Sequence, residues 1–244
     1  RVGYCQGNFH SDNCAAGGFT LDYGPFGFIE MFDPKFQPWT GGGMHFSFFN
    51  QPVAAQKNFK SFCSALKPLL NSNKEALEEL EKIENNFSKI MQEKMEDMWT
   101  KKLGINKFDV ELFEELINLM IETKVDYTIF FRELSHIPND INQLTKSFYG
   151  SLKNENIKSR WNNWLEKWKS FIHVNDEESK QKLSTQMKLT NPKYTLREWH
   201  LVWAYQEAQN GNYEPVNELQ KIMTNPYEKQ TKEIEEKYYI KKPS

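Results

Sequence analysis

Between Lys74 and Lys102, apolar side chains recur at Leu77, Leu80, Ile83, Phe87, Ile90, Met91, Met95, Met98 and Trp99, with Lys and Glu between them. An α-helix turns once every ~3.6 residues, so this spacing gathers the apolar groups on one face and predicts a long amphipathic helix, stopped by Gly104. Asp109 is placed to cap a second helix carrying Leu112, Phe113, Leu116, Leu119 and Met120. A third, around residues 157–172, puts Trp161, Trp164, Leu165, Trp168 and Phe171 on one side. A fourth, near residues 195–209, follows Asn191-Pro192 and ends at Asn210-Gly211, and Pro215 suits the first turn of a fifth. These stripes read as core-packing faces, and no sustained heptad turns the first of them into a coiled coil. The last dozen residues, 233–244, are charged and are not expected to add to a core.

Residues 1–50 differ in kind from the rest. They hold nine of the 12 glycines and many phenylalanines, a pattern of short strands and loops. Phe19-Thr20-Leu21 predicts a strand running into Asp22. Trp39-Thr40-Gly41-Gly42-Gly43 predicts a flexible loop, and Asp33-Pro34 a turn. The expected fold class is therefore mainly α, with a small β-hairpin/loop region at the N-terminus. Three segments follow: a loop-rich region over 1–70, a helical region over 71–230 and a charged tail over 231–244. Nothing repeats at a fixed period.

The 244 residues suffice for a sizeable core. A formal charge of −2 argues against nucleic acid held by bulk electrostatics. The absence of an apolar run near the ~18 residues of a membrane span argues against a membrane partner. Only four of the 31 basic residues are arginines, and Arg1 alone is close in sequence to the acidic cluster described next, so a phosphate grip is expected from upstream sequence. Cys5, Cys14 and Cys63 show no C-x-x-C spacing. They read as small buried hydrophobes in a reduced setting, not as a disulfide framework or a zinc site.

The chemistry-bearing segment is His10-Ser11-Asp12-Asn13, followed nine residues after Asn13 by Asp22-Tyr23-Gly24. An Asp-Asn pair, a β-prone stretch and then Asp-aromatic-Gly is the layout of the metal-and-base half of a kinase-like phosphotransfer site. Such transfer needs oxygen ligands for a divalent metal and a carboxylate to orient or deprotonate the attacking hydroxyl. With Asn13 set on the Asn of H-R-D-x-x-x-x-N, Asp22 takes the place of the Asp of D-F-G. Asn8 then stands where the catalytic Asp belongs and Gln6 where the His belongs. A carboxylate base in this segment must be Asp12. By themselves Asp12 and Asn13 equally suit a turn or helix cap. His10 has no second His or Cys at ligand spacing, and His136, His173 and His200 read as packing or surface residues.

The ordered blocks go further. Ser11-Asp12-Asn13, Leu21-Asp22-Tyr23-Gly24-Pro25-Phe26-Gly27-Phe28, Phe32-Asp33-Pro34 and Asn50-Gln51-Pro52 resemble the signature of the selenoprotein O (SelO) family. Val125-Asp126-Tyr127-Thr128-Ile129-Phe130-Phe131-Arg132 and Asn191-Pro192-Lys193-Tyr194-Thr195-Leu196-Arg197 resemble two of its later segments, followed by Asn210-Gly211-Asn212-Tyr213 and Asn225-Pro226-Tyr227. The resemblance spans residues 3 to about 230. It implies the C-lobe of a protein-kinase-like (pseudokinase) fold plus a helical extension, cut at both ends. It also implies a protein adenylyltransferase that moves AMP from ATP to protein Ser, Thr or Tyr hydroxyls, dependent on Mg²⁺ or alternatively Mn²⁺. Carried over by position, Asp12 is the proton acceptor, Asn13 a metal ligand, and Asp22 a metal ligand that also contacts ATP. The expected partners are ATP and proteins bearing such hydroxyls, with no nucleic acid and no membrane, in a cytoplasmic or mitochondrial setting.

This chain departs from the family's H-G-V-x-N-T-D-N at Gln6, Asn8, His10 and Ser11. The piece alone is expected to be inactive, because half of the phosphate clamp lies upstream. Ordinary phosphotransfer from the same half-site, or a non-catalytic helical interaction module, are the alternative readings.

Overall fold

The structure, a computed structural model, describes residues 1–19, 23–39, 41 and 43–243. It is mainly helical, with a two-stranded antiparallel sheet, β1 (Tyr4–Gln6) and β2 (Phe26–Phe28), near the N-terminus. Nine α-helices follow among the described residues: α1 (Gln51–Leu70), α2 (Lys74–Leu103), α3 (Val110–Thr123), α4 (Tyr127–Leu134), α5 (Glu155–Ser170), α6 (Glu177–Thr190), α7 (Glu198–Gln209), α8 (Glu214–Thr224) and α9 (Lys232–Tyr238). The chain forms two compact units. One comprises Tyr4–Gly27 and Pro34–Glu96, the other Arg1–Gly3, Phe28–Asp33 and Asp97–Ser244, so the division falls within α2.

In the first unit, α1 and the first part of α2 make a helical hairpin. Phe59 stacks on Phe87 at 4.9 Å, the Gln56 amide donates to Ser88 Oγ at 2.6 Å, and Lys67 pairs with Glu84 at 3.5 Å. Leu80 is buried, but Ile83 and Ile90 are 50% and 46% exposed. The stripe therefore does not act as core along its whole length. One neighbouring helix covers only a narrow strip of a cylinder, and apolar positions off that strip stay in water. Of the expected strand at Phe19-Thr20-Leu21, Thr20 and Leu21 lie outside the described residues, while Phe19 lies in a bend and is exposed.

In the second unit, α5 supplies the center of the core. Trp161, Trp164, Leu165 and Trp168 are all buried. The Trp164 indole N–H donates to the Leu112 carbonyl at 3.0 Å and that of Trp168 to the Leu103 carbonyl at 2.8 Å, so two of these large rings also satisfy their polar atom. Asp109 caps α3, accepting from the Leu112 amide at 2.8 Å. Gly104 ends α2 with φ +66, and a Cβ there would stand 2.6 Å from Met187 Sδ, so both backbone and packing require glycine.

The blocks at 125–132 and 191–197 turn out to be structural. Asp126 is fully buried, caps α4 through the Ile129 amide (3.0 Å), accepts from the Tyr149 hydroxyl (3.1 Å) and takes both Arg197 guanidinium nitrogens at 2.7 and 2.9 Å. Arg197 also donates to Glu30 at 2.9 Å. Burial works against the Arg197 charge, but Asp126 and Glu30 outweigh it and raise the pKa above the ordinary arginine value. Arg132 donates to the carbonyls of Lys188 and Asn191, both at 3.1 Å.

The chain end corrects an expectation. Tyr238 and Tyr239 are buried in a cluster with Ile129, Tyr194, Ala204, Leu219 and Ile222. Lys232, Glu233, Glu236 and Lys237 of α9 are exposed while Glu235 is half-buried and pairs with Lys193, and the Tyr239 hydroxyl, just past the helix, donates to Glu133 at 2.6 Å.

Candidate functional site

Asp12 and Asn13 lie in a single 3-10 turn, Ser11–Asn13, in which the Asn13 and Cys14 amides donate to the His10 and Ser11 carbonyls at 3.1 and 3.2 Å. Asp12 is exposed and Asn13 half-buried. The Asn13 side-chain amide nitrogen donates to the Asn8 carbonyl at 2.8 Å, which ties it back onto its own loop and leaves Oδ1 as its ligating atom.

The loop that carries these residues is held from α1. Gln51, the first residue of that helix, accepts from the Gln6 amide (3.2 Å) and donates to the Gln6 carbonyl (3.0 Å) and the Phe46 carbonyl (2.6 Å). Two turns later, Asn58 donates to the Phe9 carbonyl at 2.9 Å and to Cys14 Sγ at 3.2 Å. Two side-chain amides on one helix thus hold the end of β1 and both flanks of the Asp12-Asn13 turn. Asn50 does the same for the preceding turn, Met44–Phe46, donating to the Met44 carbonyl (2.9 Å) and Ser47 Oγ (3.1 Å). Gly7 is required by proximity, since a Cβ would stand 2.5 Å from the Pro25 carbonyl oxygen.

This geometry explains the departures at positions 6 and 8 differently. Gln6 is buried, its backbone is clamped by Gln51, and its side-chain oxygen accepts from the Tyr4 hydroxyl. It is a framework residue. Asn8 keeps a buried Oδ1 with no hydrogen-bond partner among the described residues. His10 packs edge-on against Phe46 (4.7 Å) and stands 6.3 Å from the His45 ring. Burial pushes the Cys14 thiol above its ordinary range, with the Asp12 charge adding to it and the Asn58 bond opposing it. Cys5, fully buried, is pushed up to about 12 by burial.

Asp22 lies outside the described residues; its partner in the motif, Tyr23, is exposed and packs edge-on against Tyr4 at 6.5 Å. Among the described residues, no group of three or more His, Cys, Asp or Glu side chains could hold a metal ion. What the described part of the site offers is an exposed carboxylate beside an anchored amide oxygen. Both are hard oxygen donors, the type that suits magnesium. Gln51 and Asn58 are the residues that sequence reasoning passed over. Asn50-Gln51-Pro52 was visible as a motif, but nothing in it says that Gln51 reaches back to Gln6.

The chain is similar to known proteins over most of its length. Residues 1–224 match the family described as protein adenylyltransferase SelO. The protein nucleotidyltransferase YdiU of Aromatoleum aromaticum is 32% identical over 238 residues, covering 94% of this chain and 45% of that protein. Its namesake from Flavobacterium johnsoniae is 31% identical over 258 residues, covering 100% of this chain and 48% of that protein. The chain spans about half the length of the curated relatives it matches.

Proposed function

The chain belongs to the protein adenylyltransferase SelO family, and from that premise we propose that the protein it represents transfers AMP from ATP to Ser, Thr or Tyr hydroxyls of other proteins. In this reading the described region is the base-and-metal part of a kinase-like C-lobe. Asp12 accepts the proton of the acceptor hydroxyl, whose oxygen bonds to the α-phosphorus while the α–β anhydride bond breaks and pyrophosphate leaves. Asn13 Oδ1 and Asp22 would hold Mg²⁺, which when bound neutralises polyphosphate charge.

The observation that carries this reading is the fixed presentation of Asp12 and Asn13. An exposed carboxylate adjoins an amide that is already tethered through its nitrogen, on a turn held at both flanks by α1. A general base must be positioned before the substrate arrives, and a preorganised loop does that without reorganisation during the reaction.

The test uses the full-length protein with α-labelled and γ-labelled ATP and a protein acceptor. Label from the α position is expected on the acceptor and label from the γ position is not; the reverse result would replace adenylyl transfer by phosphotransfer. Asp12→Ala is expected to lower kcat by about 10²-fold or more, the usual range for a lost general base, with the affinity for ATP little changed. Asp22→Ala is expected to abolish transfer, and unchanged labelling would remove the mechanism.

A further inference from the structure

A cleft of ≈ 330 Å³ lies beside the Asp12 turn, lined by His10, His45, Phe46, Asn50, Lys57 and Asn58 together with small apolar residues of α1. Two of its walls belong to the site. His10 stands two residues before Asp12, and Asn58 is the residue that holds both flanks of that turn. Phe46 forms an apolar floor, in ring contact with His45 at 4.1 Å and His10 at 4.7 Å.

Lys57 contributes an ammonium group that is exposed and forms no ion pair among the described residues, and each of the two imidazoles adds an N–H donor, whereas the amide nitrogens of Asn50 and Asn58 are engaged within the protein by Met44, Ser47, Phe9 and Cys14. None of the described residues lining the cleft is a carboxylate. Other clefts of the molecule differ in this respect. The one with Lys169 and Lys180 also contains Asp176 and Glu177, and the one with Arg132 and Lys188 contains Glu228. A concave wall with donors and one uncompensated cation favours an anion, and a floor of one aromatic ring suits the methylenes behind it.

The geometry points to this cleft as the seat of an acidic side chain on the acceptor polypeptide, flanking the hydroxyl that Asp12 deprotonates; the inference rests on the adenylyl-transfer reading. A glutamate or aspartate meets both demands of the wall, a carboxylate for Lys57 and the donors and a short apolar stem for Phe46. The nucleotide is the less fitting occupant, because Asn13, the described metal ligand of that reading, does not line the cleft. Substrate preference for acidic sequence around the modified hydroxyl follows, with Lys57 as the specificity-determining residue.

The experiment is peptide binding to the full-length protein, followed by fluorescence anisotropy at low ionic strength. Two serine peptides are compared that differ only in carrying glutamate or glutamine on either side of the serine. The glutamate peptide is expected to bind about tenfold tighter, the preference disappearing in Lys57→Glu and persisting in saturating ADP. Equal affinities would overturn the inference, as would a preference that survives Lys57→Glu. Competitive displacement by ADP would overturn it too and assign the cleft to the nucleotide. Because the peptides vary while the wild-type protein does not, the comparison stands even if the variant misfolds. Transfer of α-label to the same peptides is read separately. Its absence alongside an intact, Lys57-dependent preference removes the adenylyl-transfer reading and leaves the acidic-peptide site in place.

Discussion

Asn8 carries a side-chain oxygen that is buried with no hydrogen-bond partner among the described residues, at a position where the family pattern has valine. An unmet polar atom of this kind costs roughly 1–3 kcal/mol. Asn8→Val removes it within the same turn, and is expected to raise stability by about 1 kcal/mol, read as a higher midpoint in thermal unfolding; a lower midpoint would mean that this oxygen has a use. Gln6, the neighbouring departure, is the opposite case, since its backbone and side chain are fully engaged by Gln51 and Tyr4. Asp12 and Asn13 were legible in the sequence because their chemistry sits in adjacent residues. Gln51 and Asn58 were not, because their partners lie 45 and 49 residues away, and no local pattern records a hydrogen bond of that span.

At the level of elements, periodicity found α2, α3 and α5, and the stop and start signals at Asn191-Pro192, Asn210-Gly211 and Pro215 found α7 and α8, all to within a few residues. Periodicity did not find α4, which is buried nearly all round and so has no polar face to set a period. Nor did it find α6, whose apolar positions are sparse; its signal was the capping box of Asp176 and Ser179, where Asp176 accepts from the Ser179 amide at 2.7 Å and Ser179 Oγ accepts from the Asp176 amide at 3.1 Å. The cap of α4 is also the carboxylate that binds Arg197. Arg197→Met would leave Asp126 charged, buried and short of its partner, and is expected to cost about 3–5 kcal/mol. The measurement is chemical denaturation of the variant. A loss below 1 kcal/mol would show that water or another group takes over the Asp126 carboxylate.

On the scale of the whole molecule, the chain alternates between its two units, and the candidate site lies within the one that holds α1. No described helix is long and apolar enough to cross a membrane. The other unit closes on its last turns: Tyr238 and Tyr239 complete a cluster begun by Ile129 in α4 and Tyr194 ahead of α7. Tyr239→Ala is expected to lower the stability of this unit by about 3 kcal/mol, the usual cost of removing a buried aromatic ring. A differential scanning trace checks it, and an unchanged midpoint would return residues 232–243 to the status of a charged tail.

The sequence by itself determined the helical class, many helix boundaries and the family, and it offered the Asp12-Asn13 pair as the candidate site, because these rest on local spacing and on residues adjacent in the chain. Only the tertiary structure decided that α1 holds the candidate loop through Gln51 and Asn58, that Asp126 and Arg197 form a buried structural pair, and that Tyr238 and Tyr239 of a charge-rich tail join a core cluster. Each of these depends on which distant backbone groups and charges lose their water together, and a residue's neighbours in sequence carry no record of that.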